Sequence, residues 1–193
     1  MYFCDLAQPQ RQSCARLALA PATTEGTFAV TAFVRRAIQT FSSRAVCDTN
    51  GVQCGLQIYP TLSTGPVPLV VPVHFDPGAP LVLPTVTVAP SQGLNDGQVV
   101  QVSGSQFTPG ATLVIIECQA TATGASGCDI GNLINVTADA SGQFATPFAV
   151  VGAFAVPGGS TVDCAAAPGN CYIAVANISA LAEANSVLIS FGG

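Results

Sequence analysis

Apolar and polar positions alternate with a period of two over most of the second half of the chain. Thr85-Val86-Thr87-Val88 alternates strictly, and Pro90-Ser91-Gln92-Gly93-Leu94-Asn95-Asp96-Gly97 follows it with turn chemistry. Residues 98–103 form the next predicted strand. Thr108-Pro109-Gly110 turns the chain, and 112–118 is a third strand, apolar enough to be buried on both faces. Further strands are predicted at 133–138, 142–151, 159–164, 172–176 and 186–191. Eight strands separated by turns every eight to twelve residues or so predict an all-β sandwich or barrel. No helix is predicted beyond a single turn at 180–184.

The cysteines divide this pattern into two blocks. Cys4 and Cys14 have nine residues between them, as do Cys118 and Cys128; Cys47 and Cys54 have six, as do Cys164 and Cys171. The two pairs stand 32 residues apart in the front block and 35 in the back block. Matching cysteines recur after 114 to 117 residues (Cys4 to Cys118, Cys47 to Cys164), one domain length and too long for a solenoid repeat. Four cysteines in a domain allow three connectivities. Because each spacing recurs as a unit, the local pairing is favoured: Cys4–Cys14, Cys47–Cys54, Cys118–Cys128 and Cys164–Cys171.

Other residues repeat with them. Thr24-Glu25-Gly26-Thr27-Phe28 lines up with Ala140-Ser141-Gly142-Gln143-Phe144, and Ala45-Val46-Cys47-Asp48 with Val162-Asp163-Cys164-Ala165. The predicted organisation is a first domain at 1–76, a Pro/Gly linker at 77–83 forming a stiff extended joint, and a second domain at 84–193. The front block has no counterpart of residues 84–114, so it is expected to lack its first strands. A sheet edge left bare in that way calls for cover, from a longer precursor or from a strand donated by a protein partner.

Composition narrows the functional classes. Disulfides place the chain outside the reducing cytosol, so it is expected to be secreted or extracytoplasmic. The chain opens Met1-Tyr2-Phe3-Cys4 without a basic region before an apolar core, so an export signal is expected to lie outside it. No apolar run reaches the ~18 residues that span a bilayer. All five arginines (Arg11, Arg16, Arg35, Arg36, Arg44) fall in the front block, against Asp5, Glu25, Asp48 and Asp76, a net +1; the back block has Asp96, Glu117, Asp129, Asp139, Asp163 and Glu183 and no base, a net −6. An acidic domain without lysine or arginine cannot neutralise phosphates, which excludes direct nucleic-acid binding by it. The front arginines read as a solvated face with one Arg-Arg pair at a strand end. With 8% charged and 49% hydrophobic residues, the surface is rich in Ala, Thr, Ser, Gly and Val, which suits contact with a ligand or partner.

Catalytic chemistry is sparse. His74 is the single histidine, with no second for a relay or metal, and the cysteine spacings are wider than zinc pairs use. Asp129 and Asp163 each neighbour a cysteine and read as turn caps. No phosphate loop, nucleophile elbow or zinc helix occurs. No catalytic residue, metal or cofactor is expected, and the chain reads as a non-enzyme. Two glycosylation sequons, at Asn135 and Asn177, matter only in a glycosylating host.

The back block resembles the neocarzinostatin family, secreted actinomycete apoproteins that hold enediyne chromophores. The stretches that carry the resemblance are 88–100, Glu117-Cys118 with Cys128, Val136-Thr137-Ala138-Asp139-Ala140-Ser141-Gly142, Thr161-Val162-Asp163-Cys164 with Cys171, and Val187-Leu188-Ile189-Ser190-Phe191. The front block is similar to the later two-thirds of the same domain, with Phe33-Val34-Arg35-Arg36 at the position of the family's basic strand end. The resemblance implies tandem immunoglobulin-like sandwiches with two local disulfides each, the first incomplete, and a cleft beside the loops around Cys118–Cys128 and Cys164–Cys171. It puts Leu133 where the family has an aromatic cleft-floor residue and Ala120 where one member has a tryptophan. The segments 150–163 and 34–46 are shorter than in the family and hold one aromatic each, Phe154 and Phe41. A shallow aliphatic groove is therefore expected, with Ala120, Leu133, Phe154 and Phe41 along it, in place of a pocket for a large flat chromophore. Function is expected to be binding of an apolar small molecule, with a structural or accessory subunit of a cell-envelope or surface assembly as the alternative.

Overall fold

The structure is a computed structural model that describes residues 1–7, 14–16, 22–30, 34–39, 44–59, 69–121, 124–179 and 183–192. Phe41 and Phe33 lie outside the described residues, as does most of the single turn predicted at 180–184. The chain divides into two compact units, one of Met1–Val82 with Ser179–Glu183, the other of Leu83–Ile178 with Ala184–Gly193.

The first unit contains β1 (Tyr2–Asp5), β2 (Cys14–Arg16), β3 (Ala37–Gln39), β4 (Arg44–Val46), β5 (Cys54–Ile58) and β6 (Leu69–Val73). Its sheet runs β2-β1-β5-β6, all antiparallel, and β3–β4 forms a separate hairpin. Cys4–Cys14 joins β1 to β2, and Cys47–Cys54 closes the turn into β5. That turn is tight: Asn50 and Gly51 have φ of 53° and 81°, and the Val52 amide donates to the Thr49 carbonyl at 3.0 Å. Two successive positive φ angles are what an Asn-Gly pair tolerates best. Phe3, Ile38, Cys47 and Cys54 form the buried cluster, with Phe75 edge-on to Phe3. Residues 77–82 belong to this unit and begin in a turn, with the Gly78 amide on Asp76 Oδ1 and the Ala79 amide on the Asp76 carbonyl. An aspartate carboxylate that accepts two residues ahead bends the chain here, so the stretch does not start as an extended joint.

The second unit contains β7 (Thr85–Ala89), β8 (Val99–Ser105), β9 (Thr112–Gln119), β10 (Ile134–Thr137), β11 (Phe144–Ala149), β12 (Ala153–Ala155), β13 (Thr161–Asp163), β14 (Cys171–Asn177) and β15 (Ala184–Ile189). One sheet runs β10-β9-β14-β15 and the other β11-β8-β7, with β12–β13 as a separate hairpin. The two sheets enclose the main core, which includes Val100, Val102, Leu113, Ile115, Phe148, Ile173, Val175 and Ile189. This is a β-sandwich, as the alternation predicts. Strand positions match the pattern within a few residues. The difference falls between 142 and 164. There Gly152 interrupts the apolar run, and Ala153–Ala155 turns back to pair with Thr161–Asp163. Of two short 3₁₀ turns, Gly124–Gly127 lies in the loop closed by Cys118–Cys128 and Ile130–Asn132 follows it.

Strand order is the same in both sheets when counted from the disulfides. The strand that carries the first cysteine of its unit, β1 or β9, lies between the next described strand of its sheet in the chain, β2 or β10, and the strand that opens at the fourth cysteine, β5 or β14.

Candidate ligand-binding face

Alternation along β9 separates its side chains between two environments. Leu113, Ile115 and Glu117 point into the sandwich; Val114, Ile116 and Cys118 point out of it. Strand β14 alternates likewise: Cys171, Ile173 and Val175 enter the core, whereas Tyr172 and Ala174 face outward. Cross-strand pairing sets Tyr172 opposite Cys118 and Leu188, and Ala174 opposite Ile116 and Ser186. The outer face thus has its own apolar cluster, with Cys118, Cys128 and Ala174 buried and Ile116 and Tyr172 packed on them. On the same face, small Ala174 and Ser186 pair beside Ile116 and one step from Tyr172 and Leu188. Leu133, half-buried, precedes β10 one step beyond the Ile134–Ile115 pair. Burial raises the Tyr172 hydroxyl above the ordinary tyrosine pKa.

Both disulfide loops of this unit meet at the same end of the sheet. Cys171 stands opposite Gln119. The amide of Ala120, an exposed residue, donates to the Asn170 carbonyl at 2.8 Å, and Asn170 Nδ2 donates to the Asp163 carbonyl at 2.5 Å. Phe154 is buried at 6% exposure within the main core, against Val162 across its hairpin. The outward residues of that hairpin are Ala153, Ala155, Thr161 and Asp163. The hairpin therefore presents no ring to the outer surface.

Acidic residues of the loops act mainly on backbone amides. Asp129 Oδ1 accepts from Gly131, and Asp163 Oδ1 from Ala165. Asp139 accepts from Gln143 and Ser141, which holds its carboxyl below the usual range. In the first unit, Asp48 is lowered chiefly by the Phe75 amide and then by His74, whose exposed ring lies 3.3 Å away. Arg35 departs from the solvated face expected for it: its Nε donates to Glu183 Oε1 at 2.8 Å, and both side chains are almost fully buried. Arg36 is spent on carbonyls, with Nη1 on Ala79 at 2.6 Å and Nε on Cys47. A groove of about 250 Å³ lies beside these two arginines, lined by Val34, Phe75, Asp76 and Pro80 among others. Of the two sequons, Asn135 is exposed and Asn177 is buried.

Glu117, which the sequence reading took only as part of the acidic total and of the Glu117-Cys118 stretch, is a further candidate. It is fully buried, and its Oε2 accepts from the Val151 amide at 3.0 Å while Oε1 has no hydrogen-bond partner. Burial pushes its pKa up to about 7; the Val151 amide opposes that shift, and Asp129 and Asp96 add to it. Glu117 lies within 4.8 Å of the sulfurs of Cys164 and Cys171. Those sulfurs are joined in a disulfide and have no thiolate to offer, so the group is not a metal centre.

The fold and face define a disulfide-pinned β-sandwich with an apolar patch on one sheet. The neocarzinostatin family profile matches residues 86–191, and the chain belongs to that family. Macromomycin of Streptomyces macromomyceticus is 41% identical over 88 residues, 42% of this chain and 60% of that protein. Apokedarcidin of an Actinomycete sp. is 32% identical over 113 residues, 55% of this chain and 96% of its own length. The antitumor antibiotic C-1027 apoprotein of Streptomyces globisporus is 37% identical over 92 residues, 45% of this chain and 64% of that protein. The solved structure of macromomycin superposes with a TM-score of 0.48 at 32% identity, over 56% of this chain and 98% of that one.

Proposed function

We propose that this chain is a non-catalytic, extracytoplasmic binding protein whose second unit takes an apolar small molecule on the outer face of β10-β9-β14-β15. The observation that carries this reading is the second apolar cluster, Cys118, Cys128, Ala174, Ile116 and Tyr172, lying outside the main core. Family membership supports a ligand-binding role, since one relative is an antibiotic apoprotein by name. Four disulfides support an oxidising compartment. In this reading Ala120 and Leu133 stand at the rim of the face, while Phe154, buried in the main core, takes no part in it. With Tyr172 as the single ring in the cluster, the face suits a compact aliphatic or single-ring ligand better than a large flat chromophore. We infer further that the first unit is a second, partial copy of the same domain, from its matching strand order and cysteine spacing.

Titration of the full chain with an uncharged, polarity-sensitive naphthalene dye tests the reading. Saturable binding that the Ile116→Asp variant loses, with its far-UV circular dichroism unchanged, supports it. Absence of saturable binding, or equal binding by a folded Ile116→Asp variant, overturns it.

A further inference from the structure

Glu117 is inside the sandwich of a unit that has no cation. Every lysine or arginine of the chain lies in the first 44 residues, and the sole histidine, His74, belongs to the first unit. The groups that raise its pKa are both acidic: Asp96, from the turn before β8, and Asp129, whose amide donates to the Glu117 carbonyl at 2.8 Å. Strand β14 offers Ile173 opposite it, and β10 contributes no titratable group. On the hairpin side stand the Cys164–Cys171 disulfide and Asp163, whose Oδ1 accepts from the Ala165 amide.

Val150, after β11, is tied to Gly97 and Gln98 by backbone hydrogen bonds of 2.9 Å each; what Glu117 holds is the next residue, Val151, where the chain leaves for the β12–β13 hairpin. Val151 donates to Glu117 Oε2 at 3.0 Å, and Gly152 donates to Asp96 Oδ1 at 2.8 Å, so two carboxyl groups grip consecutive amides. The Gly152 carbonyl in turn accepts from the Cys164 amide at 2.7 Å, passing the restraint to the second hairpin strand. Asn132 Nδ2 holds the Ala149 carbonyl at 2.8 Å. The hairpin itself is short, three residues to a strand, and joins neither sheet.

We propose that Glu117 is a pH-set latch for this hairpin: neutral, it lies beneath the 151–152 connection and holds it down, and ionised, it releases that connection together with β12 and β13. A fully buried carboxylate needs hydrogen-bond donors, water or a cation for both oxygens, and here the Val151 amide serves only Oε2 while Oε1 has none. The second unit supplies no cation, and water reaches Oε1 only if a covering element lifts. The strands of the four-stranded sheet are paired on both sides at β9 and β14, so the hairpin connection is the cover that yields at least cost.

Amide hydrogen exchange of the intact chain, corrected for intrinsic base catalysis, tests the latch. Between about pH 6 and about pH 8.5, protection at Val151, Gly152 and Cys164 falls by about tenfold or more in the native protein, while Ile115 and Val175 stay protected. In Glu117→Gln, which keeps a carbonyl acceptor for Val151 but does not titrate, the same amides keep one protection level across the range. A flat profile in the native protein, or an equal fall in Glu117→Gln, overturns the proposal. If Glu117→Gln does not fold, the Glu117 carboxyl carbon is titrated by NMR in the native protein. A near-neutral midpoint that coincides with the loss of Val151 protection supports the latch. A midpoint in the ordinary carboxylate range, or one that the exchange does not follow, overturns it.

Discussion

Asp96 and Gly152 are joined across 56 residues of chain, with the carboxylate accepting the Gly152 amide at 2.8 Å. An aspartate in an Asn-Asp-Gly turn commonly serves that turn alone; here it reaches the foot of the β12–β13 hairpin. Asp96→Ala leaves the amide to water at an exposed site and is expected to cost about 1 kcal/mol in denaturant unfolding. Asp96→Asn keeps an acceptor and costs less. It also removes a negative neighbour from Glu117, so the Glu117 titration midpoint moves down, as NMR of the carboxyl carbon would record.

Stability is expected to fall as pH rises from about 4.5 to about 7 because of Glu117. The folded protein holds this proton more tightly than the unfolded chain, so the contribution is fully present below the unfolded pKa and is lost as pH rises through the folded one. A shift from 4.5 to about 7 corresponds to at most roughly 3 kcal/mol. Denaturant midpoints of the native protein and Glu117→Gln, compared at both ends of this range, check the slope, which the variant lacks. Asp48 and Asp139 act in the opposite sense, since their lowered pKa values give stability that is lost only in strong acid.

Gly142 is irreplaceable on backbone grounds. Its φ is +75°, its carbonyl accepts from the Phe107 amide, and a Cβ there would collide with the Phe107 carbonyl. Gly142→Ala is expected to lower unfolding free energy by about 2–4 kcal/mol, read from the denaturant midpoint, because strain and collision add.

Replacing Cys118 and Cys128 together by serine removes a staple around nine residues. Loss of the loop constraint is expected to cost about 2–3 kcal/mol. The same change removes two members of the outer apolar cluster, so dye affinity falls with it. The corresponding change at Cys4 and Cys14 leaves dye affinity unaltered.

Much of the fold was legible because half-buried strands announce themselves by alternation. Thr85-Val86-Thr87-Val88 and the β-branched run at 112–118 both became strands close to their predicted bounds. The β12 strand was not separable, since Ala153-Phe154-Ala155 continues an apolar stretch and only Gly152 marks the break. Phe154 shows a second limit: period two says that its ring faces one side, yet which side is core depends on pairing with Val162. The partner of Arg35 lies 148 positions away, beyond any local pattern. Glu117 could have been noticed, because it shares the parity of Leu113 and Ile115 in a buried strand. A charge total conceals that; a parity count reveals it.

The central claim, a ligand face on the outer side of β10-β9-β14-β15, is tested most directly by methyl and amide NMR of the intact chain during titration with a compact apolar ligand. Saturable shifts centred on Ile116, Leu133, Tyr172 and Ala174 are predicted. Saturable shifts centred elsewhere, or none at any of these four residues, would contradict it.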